Sequence, residues 1–339
     1  MPRHFASRTI RPRGNPAMGR IMNRSLRTLF FGTAPLACPS LTRLLGHPDF
    51  NIHAVVTQPD RPQGRQLKAT PSPVKELAVG AGLPVWQPEK CRDPAFIEQV
   101  RAAKPDLIVV AAYGQMLPPA LLDAPTHGCV NVHASLLPRY RGAAPIQWAI
   151  LEGDTETGVT IMRIDQGLDT GDILSQRATP VHDTDDAITL HDRLANMGAA
   201  LLVETLPHYI LGSIQPVRQP TQGASYARKI SKEDGQIDWR ESALAIWRRV
   251  RALIPWPGTF TFLPATPKPR LLKVWRASVG PDLCGPPGTV LAADRSGILV
   301  ACGSGALCIA ELQLEGGRRL AAGEFLAGHP FRPGQSFGA

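Results

Sequence analysis

From Leu26 onward the chain alternates short apolar runs with stretches whose apolar positions recur at helical spacing. Residues 26–32 (LRTLFFG), 51–57 (NIHAVVT), 106–112 (DLIVVAA) and 128–133 (GCVNVH) read as strands. The nearly continuous apolar run at 106–112 is what a strand buried on both faces requires. Helical patterns cover 36–46, 74–81, 94–103 and 185–210, and the second of these opens on Ser72-Pro73, an N-cap followed by proline at the first helical position. Strands alternating with helices predict an α/β fold over 26–210, a doubly wound and mostly parallel sheet. Between its second strand and the helix at 74–81 lies a polar, Pro-rich loop, 58–73, long enough to mark function or disorder. Residues 211–227 are rich in Gly, Gln, Pro and Ser and read as a linker. Beyond it the grammar changes. One short helix, 241–253, precedes strands at 259–263, 271–277, 288–293, 298–301 and 306–314, with Gly and Pro turns between them. This predicts a small C-terminal β-barrel over 228–339.

Length and charge refine that division. At ~100–200 residues per domain, 339 residues make two domains. No apolar run reaches the ~18 residues of a membrane span, so no membrane partner is expected. Cys38, Cys91, Cys129, Cys284, Cys302 and Cys308 include no C-x-x-C pair and read as reduced, mostly buried thiols, not as a disulfide framework or a zinc site. Residues 1–48 carry eight Arg and no acid, residues 49–227 carry a net −5, and residues 228–339 a net +6. An acidic middle suits small-molecule chemistry; a basic end suits a polyanion, and a five-stranded, OB-like barrel is a natural carrier for it. Arg248, Arg249 and Arg251 on the 241–253 helix read as phosphate contacts or as solvated charge. Residues 1–25 form an Arg-rich arm punctuated by Pro and Gly, read as disordered or as the product of an early start codon, with a mitochondrial transit peptide as the alternative.

The most informative stretch is Asn131-Val132-His133-Ala134-Ser135-Leu136-Leu137-Pro138. Strand period two puts Asn131 and His133 on one face and Val132 on the other. A polar pair on a buried strand is costly unless it is paired or used, and ligands of open α/β sheets bind beyond the carboxyl ends of strands. A hydrogen-bonded core histidine remains the bland alternative. Cys129 shares that face deeper in the strand and reads as packing. Downstream, Gly167 and Gly171 bracket Asp169 in a tight loop lacking the ligand spacing of a helix–loop–helix calcium site. An Asp so presented orients an imidazole or accepts a proton.

NVHASLLPRYRGAAPIQWAI (131–150), GDTETGVTIM (153–162) and GLDTGD (167–172) together resemble the folate-dependent formyltransferases. Three further stretches are similar to the branch of that family that acts on charged initiator tRNA: TQPDRPQGR (57–65) with SPVK (72–75), AYGQMLP (112–118), and YARKISKEDGQIDW (226–239) with PWPG (255–258). The resemblance runs from about 26 to 335. It implies a Rossmann-like catalytic domain that moves a formyl group from 10-formyltetrahydrofolate, as co-substrate and without a metal, to the amino group of methionyl-initiator tRNA. Asn131, His133 and Asp169 fall on the family's catalytic set, and Ser135, Leu136, Leu137 and Pro138 on its folate contacts. Arg65 falls on the arginine of its acceptor-stem loop, with Lys68 displaced by one position from the family's usual G-R-G-K. Arg139 and Arg141 would reach the folate glutamate, the RNA or solvent. A monomer in the cytoplasm is expected, with the mitochondrial matrix as the alternative should the arm be a transit peptide. Two other readings share parts of this pattern. A formyltransferase for a small amine, such as a nucleotide sugar, would need Asn131, His133 and Asp169 but neither the 58–73 loop nor a basic tail. An RNA-binding protein with a decayed enzyme domain would not keep the Asn–His–Asp set.

Overall fold

The computed structural model describes residues 24–63, 68–264 and 268–338, and the chain divides into two units. The first takes in the chain up to Pro145 with Glu156–Pro180 and His191–Ala227; the second takes in Ile146–Thr155, Val181–Leu190 and everything from Arg228.

In chain order the strands of the first unit are β1 (Leu26–Gly32), β2 (Phe50–Val56), β3 (Arg61–Gln63), β4 (Lys68–Thr70), β5 (Val85–Trp86), β6 (Leu107–Ala111), β7 (Cys129–His133), β8 (Arg141–Gly142), β9 (Glu156–Arg163), β10 (Ile173–Pro180) and β11 (Tyr226–Ala227). Seven of them form one sheet in the order β10-β9-β7-β6-β1-β2-β5. β7, β6, β1, β2 and β5 run parallel, while β9 pairs antiparallel with both β7 and β10. From β1 the chain builds outward to β2 and β5, then returns to the other side of β1 for β6 and β7. The carboxyl ends of β1 and β6 therefore flank the point where the winding reverses, the position where sheets of this class bind ligands.

Local signals explain the helices. α1 (Cys38–Leu45) follows a short 3₁₀ turn at Pro35–Ala37, which divides the single helix expected at 36–46. α2 (Pro73–Gly80) starts where Ser72 Oγ accepts the Lys75 N–H, and α3 (Pro94–Ala102) where Asp93 accepts the Ala95 N–H. α4 is Pro119–Leu122, and α5 (Pro145–Leu151) lies almost wholly in the second unit. α6 (Ala187–Ile210) opens where Asp186 accepts the N–H groups of Ile188 and Thr189. Its glycine at 198 lets it close on β7, since a Cβ there would lie 2.8 Å from Val132 Cγ1. Val132 is thereby committed to packing, and the opposite face of β7 carries Asn131 and His133. The expected loop 58–73 contains the β3–β4 hairpin, paired antiparallel from Arg61↔Thr70 to Gln63↔Lys68. Among the described residues no helix is long and apolar enough to cross a membrane.

The second unit centres on an antiparallel sheet in the order β12-β13-β16-β15-β14, with β17 paired to β16. These strands are β12 (Thr259–Leu263), β13 (Arg270–Val279), β14 (Val290–Asp294), β15 (Gly297–Ala301), β16 (Ala306–Leu314) and β17 (Leu320–Ala321). The chain's last described segment joins both edges: Gly338 N–H donates to the Phe262 carbonyl of β12, and Val290 N–H of β14 donates to Gln335. The sheet so closes as a small barrel and leaves no long free edge. α7 (Ala243–Ala252), capped by Ser242, buries Ala243, Ile246 and Val250 against Leu272, Val274, Leu307 and Leu312. α8 (Ala322–Gly328) adds Phe325 to the same core. Residues 146–155 and 181–190 precede the barrel by many residues yet pack with it. Trp148 Nε1 donates to the Arg228 carbonyl at 2.9 Å, and the Arg251 guanidinium donates to the carbonyls of His182, Asp183 and Asp185.

Candidate active site

His133 ends β7 as a buried imidazole with both ring nitrogens addressed. Nε2 lies 2.9 Å from the Tyr140 carbonyl oxygen. A carbonyl only accepts, so Nε2 carries the hydrogen there. Nδ1 faces Asp169 Oδ2 at 3.7 Å. The same carboxylate oxygen accepts the Gly142 N–H at 2.8 Å, which fixes its position. Asn131 lies two residues earlier on the same face, half-buried, and among the described residues its side-chain amide has no hydrogen-bond partner. The amide keeps contact with water, which a substrate oxygen would replace.

The backbone around this point is held in sparsely populated conformations. Ala112, Tyr140 and Asp169 have φ of 42°, 60° and 53°. Such residues cost about 1–3 kcal/mol each and persist only where their surroundings over-determine them. The surroundings do so. The Ala112 carbonyl accepts the N–H groups of Thr33 and Ala34 after β1, and Ser225 Oγ accepts the Tyr140 N–H. The Asp169 loop leaves no room for side chains at its glycines: a Cβ at Gly171 would lie 1.9 Å from the Arg163 carbonyl, and one at Gly167 would lie 2.0 Å from Thr170 Oγ1.

The stretch Ser135–Pro138 turns inward more than expected. Ser135 and Leu137 are buried. Ser135 Oγ donates to the Arg139 carbonyl, Thr160 Oγ1 donates to the Ser135 carbonyl and accepts the Leu137 N–H, and Gln176 Nε2 donates to the Leu137 carbonyl. Leu136 and Pro138 keep part of their surface. The Arg139 guanidinium sits 5.0 Å from the Tyr140 ring centroid, and Arg141 donates twice to Gln219 Oε1. Burial pushes the Cys129 thiol up to about 12, so it stays protonated among apolar neighbours.

The remaining expected site residues lie elsewhere. Arg65 is outside the described residues, and Lys68 begins β4 with its side chain likewise undescribed. The base of their loop is fixed: Thr57 Oγ1 pairs with Ser72 Oγ, Lys75 Nζ donates to Asp60 at 2.6 Å, and Gln58 Nε2 donates to the Tyr113 carbonyl. Hydrogen bonds from Lys75 and Gln87 hold the Asp60 carboxyl below its ordinary value. Arg248, Arg249 and Arg251 stand on α7 in the second unit. Arg249 pairs with Glu241 at 2.7 Å and donates to the Gln236 carbonyl. Arg251 makes the three carbonyl bonds already described and lies 3.8 Å over the Trp247 ring. Arg248 is the least committed, with its NH1 3.5 Å from the Glu152 carbonyl.

Sequence reasoning missed Thr160, Gln176, Gln219 and Ser225. Thr160 had a usable signal: it is the one hydroxyl in the apolar run GVTIM on β9, and it pairs in register with His133. Gln219 and Ser225 had none, because they sit in a stretch whose composition is that of a linker.

A family model described as formyl transferase matches residues 27–206, and one described as formyl transferase, C-terminal domain, matches 229–330. A methionyl-tRNA formyltransferase from Citrifermentans bemidjiense is 51% identical over 313 residues, covering 92% of this chain and 96% of that protein. Its counterpart from Myxococcus xanthus is 49% identical over 308 residues, covering 91% and 96%. Among solved structures, an N-formyltransferase from Helicobacter canadensis shares the fold with TM-score 0.62 at 18% identity, covering 84% of this chain and 99% of that one. HypX from Aquifex aeolicus, in complex with tetrahydrofolic acid, shares it with TM-score 0.58 at 19% identity, covering 93% and 51%. With both parts of the chain matched in turn and half its residues shared with such relatives along nearly all its length, the protein belongs to the formyl transferase family.

Proposed function

We propose that this enzyme transfers the formyl group of 10-formyltetrahydrofolate to the amino group of methionine on initiator tRNA, the reaction that supplies formylated initiator for translation. The observation that carries the chemistry is the Asn131 amide, unpartnered among the described residues, on the face of β7 that also presents His133, with Asp169 behind the imidazole. The neutral amine attacks the formyl carbon and a C–N bond forms. The carbonyl oxygen becomes an oxyanion, and the Asn131 NH₂ group donates to it. One such donor is worth about 2.7–4 kcal/mol in the transition state. The bond from the formyl carbon to N10 of the folate then breaks. N10 takes up one proton, and the new amide loses the amine's surplus proton. His133 Nδ1 and the Asp169 carboxylate are the groups placed to move it, directly or through water. None of these steps calls on a metal ion. The exposed parts of Leu136 and Pro138 offer apolar surface to the folate beside them.

The acceptor is argued from identity along the whole chain with proteins named for methionyl-tRNA, and from the loop carrying Arg65 and Lys68, which a small amine would not require. The basic C-terminal stretch, residues 228–339, would hold the tRNA by its phosphates. The relatives are bacterial proteins, and a cytoplasmic monomer goes with this reading. The test is formyl transfer from labelled 10-formyltetrahydrofolate to charged initiator tRNA, to uncharged tRNA and to amino sugars linked to nucleotides. Label on the charged tRNA alone is expected. Label on the sugar alone would overturn the acceptor while leaving the chemistry intact.

A further inference from the structure

Gln219 lies in the segment 211–227, where composition suggests nothing beyond a connection, yet it is nearly fully buried. All four hydrogen-bonding positions of its amide are used. Oε1 accepts from Arg141 Nε at 3.1 Å and from its NH2 at 2.8 Å. Nε2 donates to the carbonyls of Asp169 and Gly171, both at 2.8 Å. The orientation of the amide is fixed by chemistry, because a guanidinium only donates and a carbonyl only accepts. The two carbonyls belong to the loop that presents Asp169 in its left-handed conformation. Arg141 belongs to the short strand β8, whose next residue, Gly142, donates its N–H to the Asp169 carboxylate. Gln219 thus ties both backbone segments that determine where the carboxylate stands against His133.

We infer that Gln219 is a positioning residue for formyl transfer, setting the Asp169 carboxylate against His133 Nδ1 through the Asp169 and Gly171 carbonyls. The same segment works on the other side of the imidazole. Ser225 Oγ accepts the Tyr140 N–H at 2.9 Å, and the Tyr140 carbonyl is the partner of His133 Nε2. Ile173 and Val217 exchange backbone hydrogen bonds at 2.8 and 2.9 Å, anchoring the start of the segment to β10. Residues 217–227 are therefore a strap on the catalytic loops, and Gln219 is its principal contact with Asp169.

The inference rests on the proposed reaction, and its test is a double-mutant cycle. Gln219→Glu keeps the shape and the Arg141 pair but replaces the two Nε2 donors with a carboxylate facing two carbonyls. Its single-turnover rate at saturating substrates should fall about 10- to 100-fold, the scale of a displacement of roughly 1 Å in a catalytic group. KM for donor and acceptor should stay within about twofold, because neither touches Gln219. In an Asp169→Asn background the same change should cost less than about twofold, since the carboxylate it positions is gone. Thermal unfolding is recorded for every variant. Should Gln219→Glu fail to fold, Arg141→Met, which leaves both Nε2 donors but removes their anchor, enters the cycle in its place. A wild-type rate in the single variant, or a loss that multiplies in full with Asp169→Asn, overturns the inference and leaves Gln219 a structural brace. Wild-type turnover with methionyl-tRNA is measured first and tests the acceptor by itself; if another amine is formylated instead, the cycle is run on that amine with the same expectations.

Discussion

The loops around β7 and the arginine row of α7 are both polar, and they treat their polar groups in opposite ways. Around β7 the backbone at Ala112 and Tyr140 and the Asp169 carboxylate are held by hydrogen bonds, while one side-chain amide, that of Asn131, has no partner among the described residues. On α7 the backbone is ordinary helix, while the charged ends of Arg249 and Arg251 are taken up by Glu241, Gln236 and the carbonyls of 182–185. A scaffold that spends hydrogen bonds on geometry and withholds one from a side chain is prepared for a ligand. A guanidinium engaged mainly by groups of its own chain is part of the scaffold, whatever its charge. Charge counting alone leaves the α7 arginines as phosphate contacts or solvated charge; their partners distinguish Arg248 from the other two.

The contrast can be broken from either side. His133→Ala should reduce kcat about 10²- to 10⁴-fold, the range for a lost acid–base group, with the enzyme still folded in circular dichroism. Turnover near the wild-type value would remove the imidazole from the chemistry. Arg251→Met should act on stability: it removes the bonds that tie α7 to the carbonyls of His182, Asp183 and Asp185, a loss of about 1–3 kcal/mol in all. Calorimetry should show a lowered Tm, while the salt dependence of tRNA binding keeps its slope. An unchanged Tm with a shallower slope would make Arg251 a phosphate contact. Arg248→Ala should do the reverse, leaving Tm nearly unchanged and reducing the log–log salt slope by roughly 0.7–0.9 for one lost phosphate. No change in slope would take Arg248 off the RNA.

The smallest expected effect is a pH dependence in the second unit. Hydrogen bonds from Arg228 hold the Asp234 carboxyl down to about 2, from an ordinary 3.8. A carboxyl whose folded value is lowered stabilises the protein above its unfolded value and loses that contribution as the pH falls through the folded one. Arg228→Ala should therefore lower Tm modestly above pH 4, and the gap from wild type should close as the pH approaches 2. A gap independent of pH would show that Arg228 acts through its contact with Trp148 instead, where its guanidinium lies 5.2 Å from the ring centroid.

Much of this architecture was legible in the sequence because it is local. Apolar runs give the parallel strands, and those at 259–263 and 306–314 coincide with β12 and β16 to the residue. Ser72-Pro73 marks the start of α2, and strand period two puts Asn131 and His133 on one face. What escaped is what only folding brings together. The second unit recruits 146–155 and 181–190 through bonds such as that from Arg251 to His182, between residues far apart in the chain, and no periodicity records them. The β3–β4 hairpin hides in a Pro-rich run because its strands are three residues each. Gln219 hides among Gly, Pro and Ser because its role lies in its partners. Ser135 and Leu137, which the resemblance places on the folate, also have work inside the loop that the sequence did not record.

The most direct test is the single-turnover rate of formyl transfer to methionyl-initiator tRNA by Asn131→Ala, with both substrates saturating and donor affinity measured alongside. The rate should fall about 10²- to 10³-fold, as for one lost oxyanion donor, while the dissociation constant of the formyl donor stays within a few-fold of wild type. A rate within a few-fold of wild type would mean that the unpartnered amide at β7 does not meet the transition state and that the reacting carbonyl lies elsewhere.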